Sequence, residues 1–170
     1  MSDPAGYLVT FTCYGERLHG DTRGSVERVR HLGTPTKLVP DLARVERERR
    51  WLQGAPQTLD HRQRRVVAEA IQGVCDVKRW RLHALNVRSN HVHAVVSTHE
   101  APEKVMTNFK LWSTRRLREN GLLDSTQKLW TRHGSTKYLL GEQDVIDAVC
   151  YVLDRQGRDL GGKRSTPLEE

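Results

Sequence analysis

Two histidines separated by a single residue are the first candidates for chemistry in this sequence. His91 and His93 lie within residues 90–97, a segment rich in β-branched residues that predicts a strand. Side chains two residues apart project from the same face of a strand, so both imidazoles point one way and Val92 points the other. Two neighbouring imidazoles on a rigid strand form half of a site for a divalent metal ion. The alternative is a pair of polar residues on the solvated face of a sheet.

The last predicted helix carries the other groups that a metal-dependent site would need. Residues 142–156 have apolar side chains at helical spacing, and they include Tyr151, Asp154 and Gln156. A carboxylate or amide oxygen from Asp154 or Gln156 would add a ligand to an ion held by two imidazoles. A tyrosine hydroxyl is a weak nucleophile unless a base or metal assists it, but beside such an ion it could attack a phosphodiester. The alternative for Tyr151 is an ordinary aromatic residue of the core or its rim.

Composition narrows the choice of partner. The 170-residue chain carries 28 Lys and Arg against 21 Asp and Glu, a formal net charge of +7. This basic bias favours a polyanionic partner, nucleic acid first and an acidic membrane second. No apolar run approaches the ~18 residues of a membrane span, so a span is excluded. Nucleic acid is the partner expected, and no membrane is. Residues 1–4 lack the layout of a signal peptide, and a cytoplasmic protein is expected. Cys13, Cys75 and Cys150 are odd in number and far apart, which argues against a zinc ribbon or a disulfide framework.

Hydrophobic periodicity places these residues in an α+β domain. The predicted elements, in chain order, are a strand at 7–14, a short helix at 41–52, a helix at 60–79, a hairpin of strands at 80–87 and 90–97, a helix at 103–120, short strands at 129–130 and 137–140, and the helix at 142–156. Apart from the short helix, the order is the split βαβ pattern of ferredoxin-like folds, with one extra helix that bears the tyrosine. Two helices would cover one face of the sheet and leave the other face to the histidines and the extra helix.

Two segments stand outside that pattern. Residues 1–170 are expected to form a single domain, but residues 20–58 are interrupted by Gly and Pro and rich in Arg, which predicts an inserted loop or short helix. Residues 160–170 are predicted to be a flexible tail.

Four short motifs, taken in order, carry a resemblance to a known family. They are residues 10–12 (Thr-Phe-Thr), residues 90–96 (Asn-His-Val-His-Ala-Val-Val), residues 129–130 (Leu-Trp) and residues 151–152 (Tyr-Val). Together they resemble the single-tyrosine HUH transposases of the smallest bacterial insertion sequences and the related REP-associated tyrosine transposases. HUH denotes two histidines around a bulky apolar residue. The resemblance extends over roughly residues 5–158, and the histidine strand is its most specific part.

The resemblance implies a fold, a cofactor and a reaction. It implies a ferredoxin-like sandwich, the HUH endonuclease palm, with a C-terminal tyrosine-bearing helix. It implies Mg²⁺ or Mn²⁺ held by His91, His93 and an amide or acid from the tyrosine helix. It implies that Tyr151 cleaves single-stranded DNA beside a hairpin, leaving a 5′-phosphotyrosine and a free 3′-OH.

One position departs from the family pattern. Members commonly carry an amide ligand four residues after the tyrosine, where this chain has Arg155, which cannot bind a cation. Gln156 lies about 140° around an ideal helix from Tyr151, but Gly157 lets the helix end unwind and bring it in. Gln156 is therefore ranked first as the third ligand and Asp154 second.

Basic residues on the helix at 103–120 and after it are predicted to contact the DNA backbone. They are Lys110, Arg115, Arg116, Arg132, His133 and Lys137. The alternative for the helical members is an ordinary solvated face. Tyr14, Arg17 and His19, after the first strand, would either line the site or anchor a loop.

The leading hypothesis is thus a transposase, a metal-dependent DNA strand transferase acting through a covalent tyrosine. A domesticated DNA-hairpin-binding module with weak catalysis is the first alternative, because Arg155 replaces the expected amide ligand. A hydrolase of the histidine-triad kind would need a third alternating histidine, but residue 95 is Val. Both a homodimer and a monomer are compatible with the resemblance.

Overall fold

The computed structural model describes residues 4–16, 18, 25–28 and 35–154. The elements in these ranges are, in chain order, β1 (Gly6–Thr12), β2 (Ser25–Arg28), β3 (Pro35–Leu38), α1 (Leu42–Arg50), α2 (His61–Lys78), β4 (Arg81–Val87), β5 (His91–Ser97), α3 (Pro102–Glu119), β6 (Ser135–Leu139) and α4 (Glu142–Asp154). No helix among the described residues is both long enough and apolar enough to cross a bilayer.

The main sheet has the predicted ferredoxin-like topology. Its strands lie in the order β4-β5-β1-β6, and each neighbouring pair is antiparallel. The connection from β1 through α2 reaches β4 with β5 inserted between the two strands, which is the split βαβ arrangement. The extra helix, α4, follows β6. The fold class predicted from the sequence is confirmed.

The alternation of side chains along β5 assigns each face of the sheet to different helices. Val92, Ala94 and Val96 are fully buried in the larger apolar cluster, which includes Ile71 of α2 and Phe109 of α3. Residues one position away point to the opposite face, where β5 brings Val95 into a second cluster. That cluster contains Val145, Ala148 and Val152 of α4. The prediction that the histidines share a face with the extra helix, opposite α2 and α3, is confirmed.

Local sequence signals explain where α2 begins and ends. The Asp60 carboxylate accepts a hydrogen bond from the Gln63 N–H, and the Gln63 side chain accepts one from the Asp60 N–H, forming a capping box. At the other end Arg79 adopts a left-handed conformation, with φ 57°, and β4 begins two residues later. This sharp exit turns the chain from α2 directly into the strand that pairs with the histidine strand.

The inserted segment contains more regular structure than its sequence suggests. The helix predicted at 41–52 is present as α1, with Asp41 as its cap, and it has no buried residue. The β2–β3 hairpin was not predicted from the sequence. Residues 129–130 do not form a strand, because Trp130 makes only an isolated bridge to Cys13. The tail at 160–170 lies outside the described residues.

Candidate active site

Both histidines sit in a cleft on the face of the sheet that α4 covers. Strand register places His91 opposite Thr12 and His93 opposite Thr10 of β1, so these four side chains share one face. The two imidazole centroids are 4.7 Å apart. The cleft has a volume of about 490 Å³, and its lining residues are Thr10, Phe11, Thr12, Glu16, Asn90, His91, His93, Gly134, Ser135 and Tyr151.

Hydrogen bonds hold both imidazoles by the same ring nitrogen. His93 Nδ1 lies 2.8 Å from Thr10 Oγ1, and His91 Nδ1 lies 2.6 Å from Asn90 Oδ1. With Nδ1 used in this way, Nε2 is the ring nitrogen that would be left for a ligand or a metal ion. Partners on the far nitrogen are what metal-binding histidines require for orientation. His93 is buried, with 8% of its surface exposed, while His91 is half-buried.

A carboxylate extends the hydrogen bonding behind His91. Asn90 Nδ2 donates to Glu16 Oε1 at 2.7 Å, while Asn90 Oδ1 faces His91. Glu16 reaches this position because the chain turns sharply after β1: the Glu16 N–H donates to the Cys13 carbonyl, and Gly15 has φ 78°. A Cβ at position 15 would also lie 2.9 Å from Pro56 Cα, so only glycine fits this turn.

Packing of α4 brings Tyr151 to the histidines. Val152, the next residue, is fully buried in the second cluster, and the Asn86 side-chain amide on β4 donates to its carbonyl at 3.0 Å. Tyr151 itself is 40% exposed, and its ring stands edge-on to His93 with centroids 6.1 Å apart. Asn86 is paired with His93 in the sheet, so one row of residues positions both the imidazole and the helix that bears the phenol.

The third-ligand candidates are not part of this pocket as described. Asp154 is exposed at the end of α4, and it does not line the cleft. Gln156 and Arg155 lie outside the described residues. Within the described ranges, no cluster of three or more His, Cys, Asp or Glu side chains could hold a metal ion. The role of Gln156 therefore stays a prediction.

The loop before β6 forms one wall of the cleft, and Lys110 of α3 holds it in place. The Lys110 ammonium donates to the carbonyl oxygens of Thr131, Arg132 and His133 at 2.9, 3.3 and 3.1 Å. It also lies 5.6 Å from the Phe11 ring centroid. Burial lowers the Lys110 pKa to about 8. The structure thus gives Lys110 a loop-holding role, and direct DNA contact by it remains a prediction.

The other residues predicted to bind DNA fall into two groups. Arg132 and His133 immediately precede the cleft residue Gly134, and Lys137 pairs with Leu8, which places it on the histidine face of the sheet. Arg115 and Arg116 are elsewhere, on the exposed side of α3, and both contact Glu119. Neither of these arginines lines the cleft.

Of the three residues after β1 that were expected to line the site or anchor a loop, the structure describes only Tyr14. Tyr14 anchors a loop, since its hydroxyl accepts the Gln53 N–H at 2.8 Å. Arg17 and His19 lie outside the described residues. Sequence reasoning missed Glu16, Asn90 as a partner of His91, and Asn86. Only Asn90 had a local signal, its position directly before the His-x-His strand.

Comparison with known families matches the segment that contains the histidines. Residues 55–144, a little over half of the chain, match the family model described as "Transposase IS200 like". This chain belongs to the IS200-like transposase family. The match runs from just before α2 into the first turn of α4, so it includes His91 and His93 and ends before Tyr151. The resemblance to single-tyrosine HUH transposases is confirmed at the level of the family.

The similarity to a solved structure is weaker than the match to the family model. The chain is similar to one described as "Structure of the REP associates tyrosine transposase bound to a REP hairpin", with 12% sequence identity and a TM-score of 0.48. The similarity covers 89% of this chain and 66% of the other, so this chain spans slightly less than two thirds of that protein's length. The fold assignment rests on the strand order described above. A comparison with curated proteins gives no match.

Proposed function

We propose that this IS200-like transposase cleaves and joins single-stranded DNA beside a hairpin, with Tyr151 as nucleophile and a divalent metal ion, Mg²⁺ or Mn²⁺, at His91 and His93. The observation that carries the proposal is the meeting of these three side chains in one cleft. The His91 and His93 ring centroids are 4.7 Å apart, and the His93 and Tyr151 centroids are 6.1 Å apart.

The donor chemistry of the cleft fits such a cation. Two imidazoles, each held through Nδ1, would supply two nitrogen ligands to a divalent ion. An amide or carboxylate would add the oxygen ligand that Mg²⁺ and Mn²⁺ prefer. Gln156 is proposed as the third ligand and Asp154 as its alternative. A cation bound there would polarise a non-bridging oxygen of the scissile phosphodiester.

The proposed step at Tyr151 forms one bond and breaks one. The phenol oxygen attacks phosphorus, the bond from phosphorus to the 3′ oxygen breaks, the phenol proton passes to water, and the 3′ oxygen takes up a proton. The product is a tyrosine joined to the 5′ phosphate of the downstream strand. The 40% exposure of Tyr151 would let a phosphodiester approach it.

The positions of the remaining tyrosines support the choice of Tyr151. Tyr7 is buried, and its ring meets the Tyr138 ring edge-on, with centroids 5.3 Å apart. Both lie on the face of the sheet opposite the histidines, because Tyr7 pairs with Val96 and Tyr138 pairs with Tyr7. The Tyr14 hydroxyl accepts the Gln53 N–H. Tyr151 alone of the four tyrosines lines the cleft.

Basic residues at the mouth of the cleft give the DNA a route to it. Arg132 and His133 precede the cleft residues Gly134 and Ser135, and Lys137 lies on the same face of the sheet as the histidines. We assign these three residues to phosphate contacts. Arg115 and Arg116 would contact DNA only where it extends past the far side of α3. The net charge of +7 suits a polyanionic substrate.

Covalent capture tests the proposal. The probe is a pool of stem-loop DNA oligonucleotides with randomised single-stranded flanks and a fluorescent label at the 3′ end, because the fragment joined to tyrosine is the downstream one. Incubation with Mn²⁺ should give a labelled adduct that survives SDS, and EDTA should prevent it. Tyr151→Phe should form no adduct and keep its DNA affinity, since only the phenol oxygen is removed.

Tyr138→Phe is the matched control, because it removes the same atom from an exposed tyrosine on the other face. It should form the adduct at the wild-type rate. An adduct that persists in Tyr151→Phe would refute the assignment of the nucleophile. His91→Ala should reduce adduct formation by several orders of magnitude, and unchanged activity would remove the metal site from the mechanism.

The second candidate function is a hairpin-binding module that has lost catalysis. Arg155, at the position where relatives carry an amide ligand, is the observation that favours it. Tight binding of the stem-loop pool by wild type, with no adduct under Mg²⁺ or Mn²⁺, would support this alternative.

A further inference from the structure

We propose that Glu16, acting through Asn90, fixes which nitrogen of His91 carries the proton and so presents Nε2 of that histidine to the cleft. Glu16 is in this view a positioning residue. It is not itself a metal ligand. This inference rests on the proposed function, because the proton position matters only if His91 binds a metal ion. The proton position itself can be tested without metal.

The backbone brings the three side chains together. The Cys13 N–H donates to the Asn90 carbonyl at 2.8 Å, which joins the end of β1 to the residue directly before β5. The turn through Gly15 then folds back, and the Glu16 N–H donates to the Cys13 carbonyl at 3.2 Å. Glu16 and Asn90 are 74 residues apart in sequence, yet their side chains meet at 2.7 Å.

The chemistry of a carboxylate decides the orientation of the Asn90 amide. An ionised carboxylate can only accept hydrogen bonds, so the Asn90 atom that faces Glu16 at 2.7 Å must be the NH₂ group. The other end of the amide, Oδ1, then faces His91 Nδ1 at 2.6 Å. Because Oδ1 can only accept, His91 must carry its proton on Nδ1, and the Nε2 lone pair is directed away from Asn90.

His93 has no such constraint from its contact with Thr10. Its Nδ1 lies 2.8 Å from Thr10 Oγ1, and a hydroxyl both donates and accepts. That contact is compatible with either neutral form of His93. The two histidines therefore differ, since the Asn90 contact dictates the form of His91 and the Thr10 contact does not dictate the form of His93.

Glu16 also lines the cleft, so a direct role as ligand has to be separated from the positioning role. The structure favours positioning, because Glu16 and the two histidines do not form a metal-binding cluster among the described residues. Glutamine at position 16 keeps an oxygen that can accept from Asn90 but loses the negative charge, so it would be a much weaker metal ligand than glutamate. Alanine at position 16 removes both functions.

The decisive measurement is the ¹⁵N NMR spectrum of the metal-free protein with labelled histidine, at a pH of about 8.5, where imidazole is ordinarily neutral. Wild type should show His91 protonated on Nδ1. Glu16→Ala and Asn90→Ala should each show a mixture of the two neutral forms. A His91 signal that is unchanged in both variants, with the fold intact by circular dichroism, would overturn the proposal.

Mn²⁺ affinity, measured by calorimetry on the Tyr151→Phe protein, supplies the second readout. Glu16→Ala should weaken binding about 10–100-fold, the usual cost of losing a partner of a ligand. Glu16→Gln should weaken it much less. Equal losses in Glu16→Gln and Glu16→Ala would make Glu16 a direct ligand and overturn the positioning role. Glu119→Ala, which removes an exposed carboxylate on α3, is the control and should bind as wild type does.

Failure of the proposed function would look different. If the Tyr151→Phe protein bound no Mn²⁺, or if His91→Ala left its affinity unchanged, the metal site would be refuted. The NMR comparison would still decide whether Glu16 sets the protonated nitrogen of His91.

Discussion

Replacing Gly134 by alanine should be strongly destabilising because of one close approach at the cleft wall. A Cβ at position 134 would lie 2.4 Å from the Thr10 carbonyl oxygen and 2.7 Å from Met106 Sδ. The Met106 side chain is flexible and can move away. The Thr10 carbonyl cannot, because it belongs to β1 between its two partner strands. The segment at 134 must therefore move outward from β1.

The cost can be worked out from what that movement disrupts. Overpacking of this kind usually costs about 1–3 kcal/mol. Separation of the last pair of the β1–β6 ladder, Thr10 and Ser135, adds about 0.5–1.5 kcal/mol for a lost hydrogen bond. The smaller conformational freedom of alanine in the unfolded chain returns about 0.4–1 kcal/mol. Gly134→Ala should therefore lower the free energy of unfolding by about 0.5–4 kcal/mol, with a central value of about 2 kcal/mol.

Gly73→Ala is the matched control. Gly73 lies inside α2, and a Cβ added there would meet no atom within 4 Å outside the backbone of its own helix, so alanine should stabilise the protein by about 0.5–1 kcal/mol. Urea unfolding of the two variants and wild type, followed by circular dichroism, gives the comparison. If Gly134→Ala were as stable as Gly73→Ala with the same dependence on urea, the close approach of the loop to β1 would be refuted.

Three further results are expected. Burial raises the pKa of Cys13 and of Cys75 from 9.0 to about 12. Because the unfolded chain releases these protons first, the free energy of unfolding should fall above pH 9 by up to roughly 1.4 kcal/mol per pH unit for each thiol. Urea unfolding at about pH 9 and pH 11 should show a smaller fall in Cys75→Ala than in wild type. Burial lowers the pKa of Lys110 from 10.5 to about 8, so between pH 8 and 10.5 this group makes the free energy of unfolding rise with pH and partly offsets the fall caused by the thiols. The contacts of its ammonium group with the loop are lost as the pH rises through 8, so hydrogen-exchange protection of residues 131–133 should decrease near pH 8 in wild type and persist in Lys110→Arg. The same pH dependence in both proteins would refute the loop-holding role. Asn86→Ala removes the hydrogen-bond donor to the Val152 carbonyl in the last turn of α4 and should lower the free energy of unfolding, measured with urea, by about 1 kcal/mol. It should also slow adduct formation. An unchanged rate of adduct formation would show that this hydrogen bond does not position Tyr151.

The sequence predicts what depends on local periodicity. Alternation along residues 90–97 placed both histidines on one face and Val92 on the other, and helical spacing in residues 142–156 predicted the extra helix that carries Tyr151. The order of elements then sufficed for the split βαβ topology. These features follow from backbone geometry, which repeats every two residues in a strand and every 3.6 in a helix.

Long-range contacts could not be predicted in the same way. Glu16 meets Asn90 only because a glycine turn folds back at the end of β1, and one sequence contains no signal for that encounter. Lys110 looked like a DNA contact because it is basic and on a helix, but the direction of its side chain toward three carbonyls depends on tertiary packing. The β2–β3 hairpin was missed because its residues show no alternation of apolar and polar side chains.

The position of β5 in the sheet gives the two halves of the site different lifetimes. The histidines belong to a strand that is flanked on both sides, by β4 and by β1, so separating the two imidazoles from each other requires the sheet itself to open. Tyr151 belongs to α4, which is packed on one face through the smaller apolar cluster and can detach while the larger cluster stays intact. The two imidazoles therefore stay together as long as the sheet is folded, whereas the Tyr151 phenol lies beside them only while α4 remains packed on the sheet.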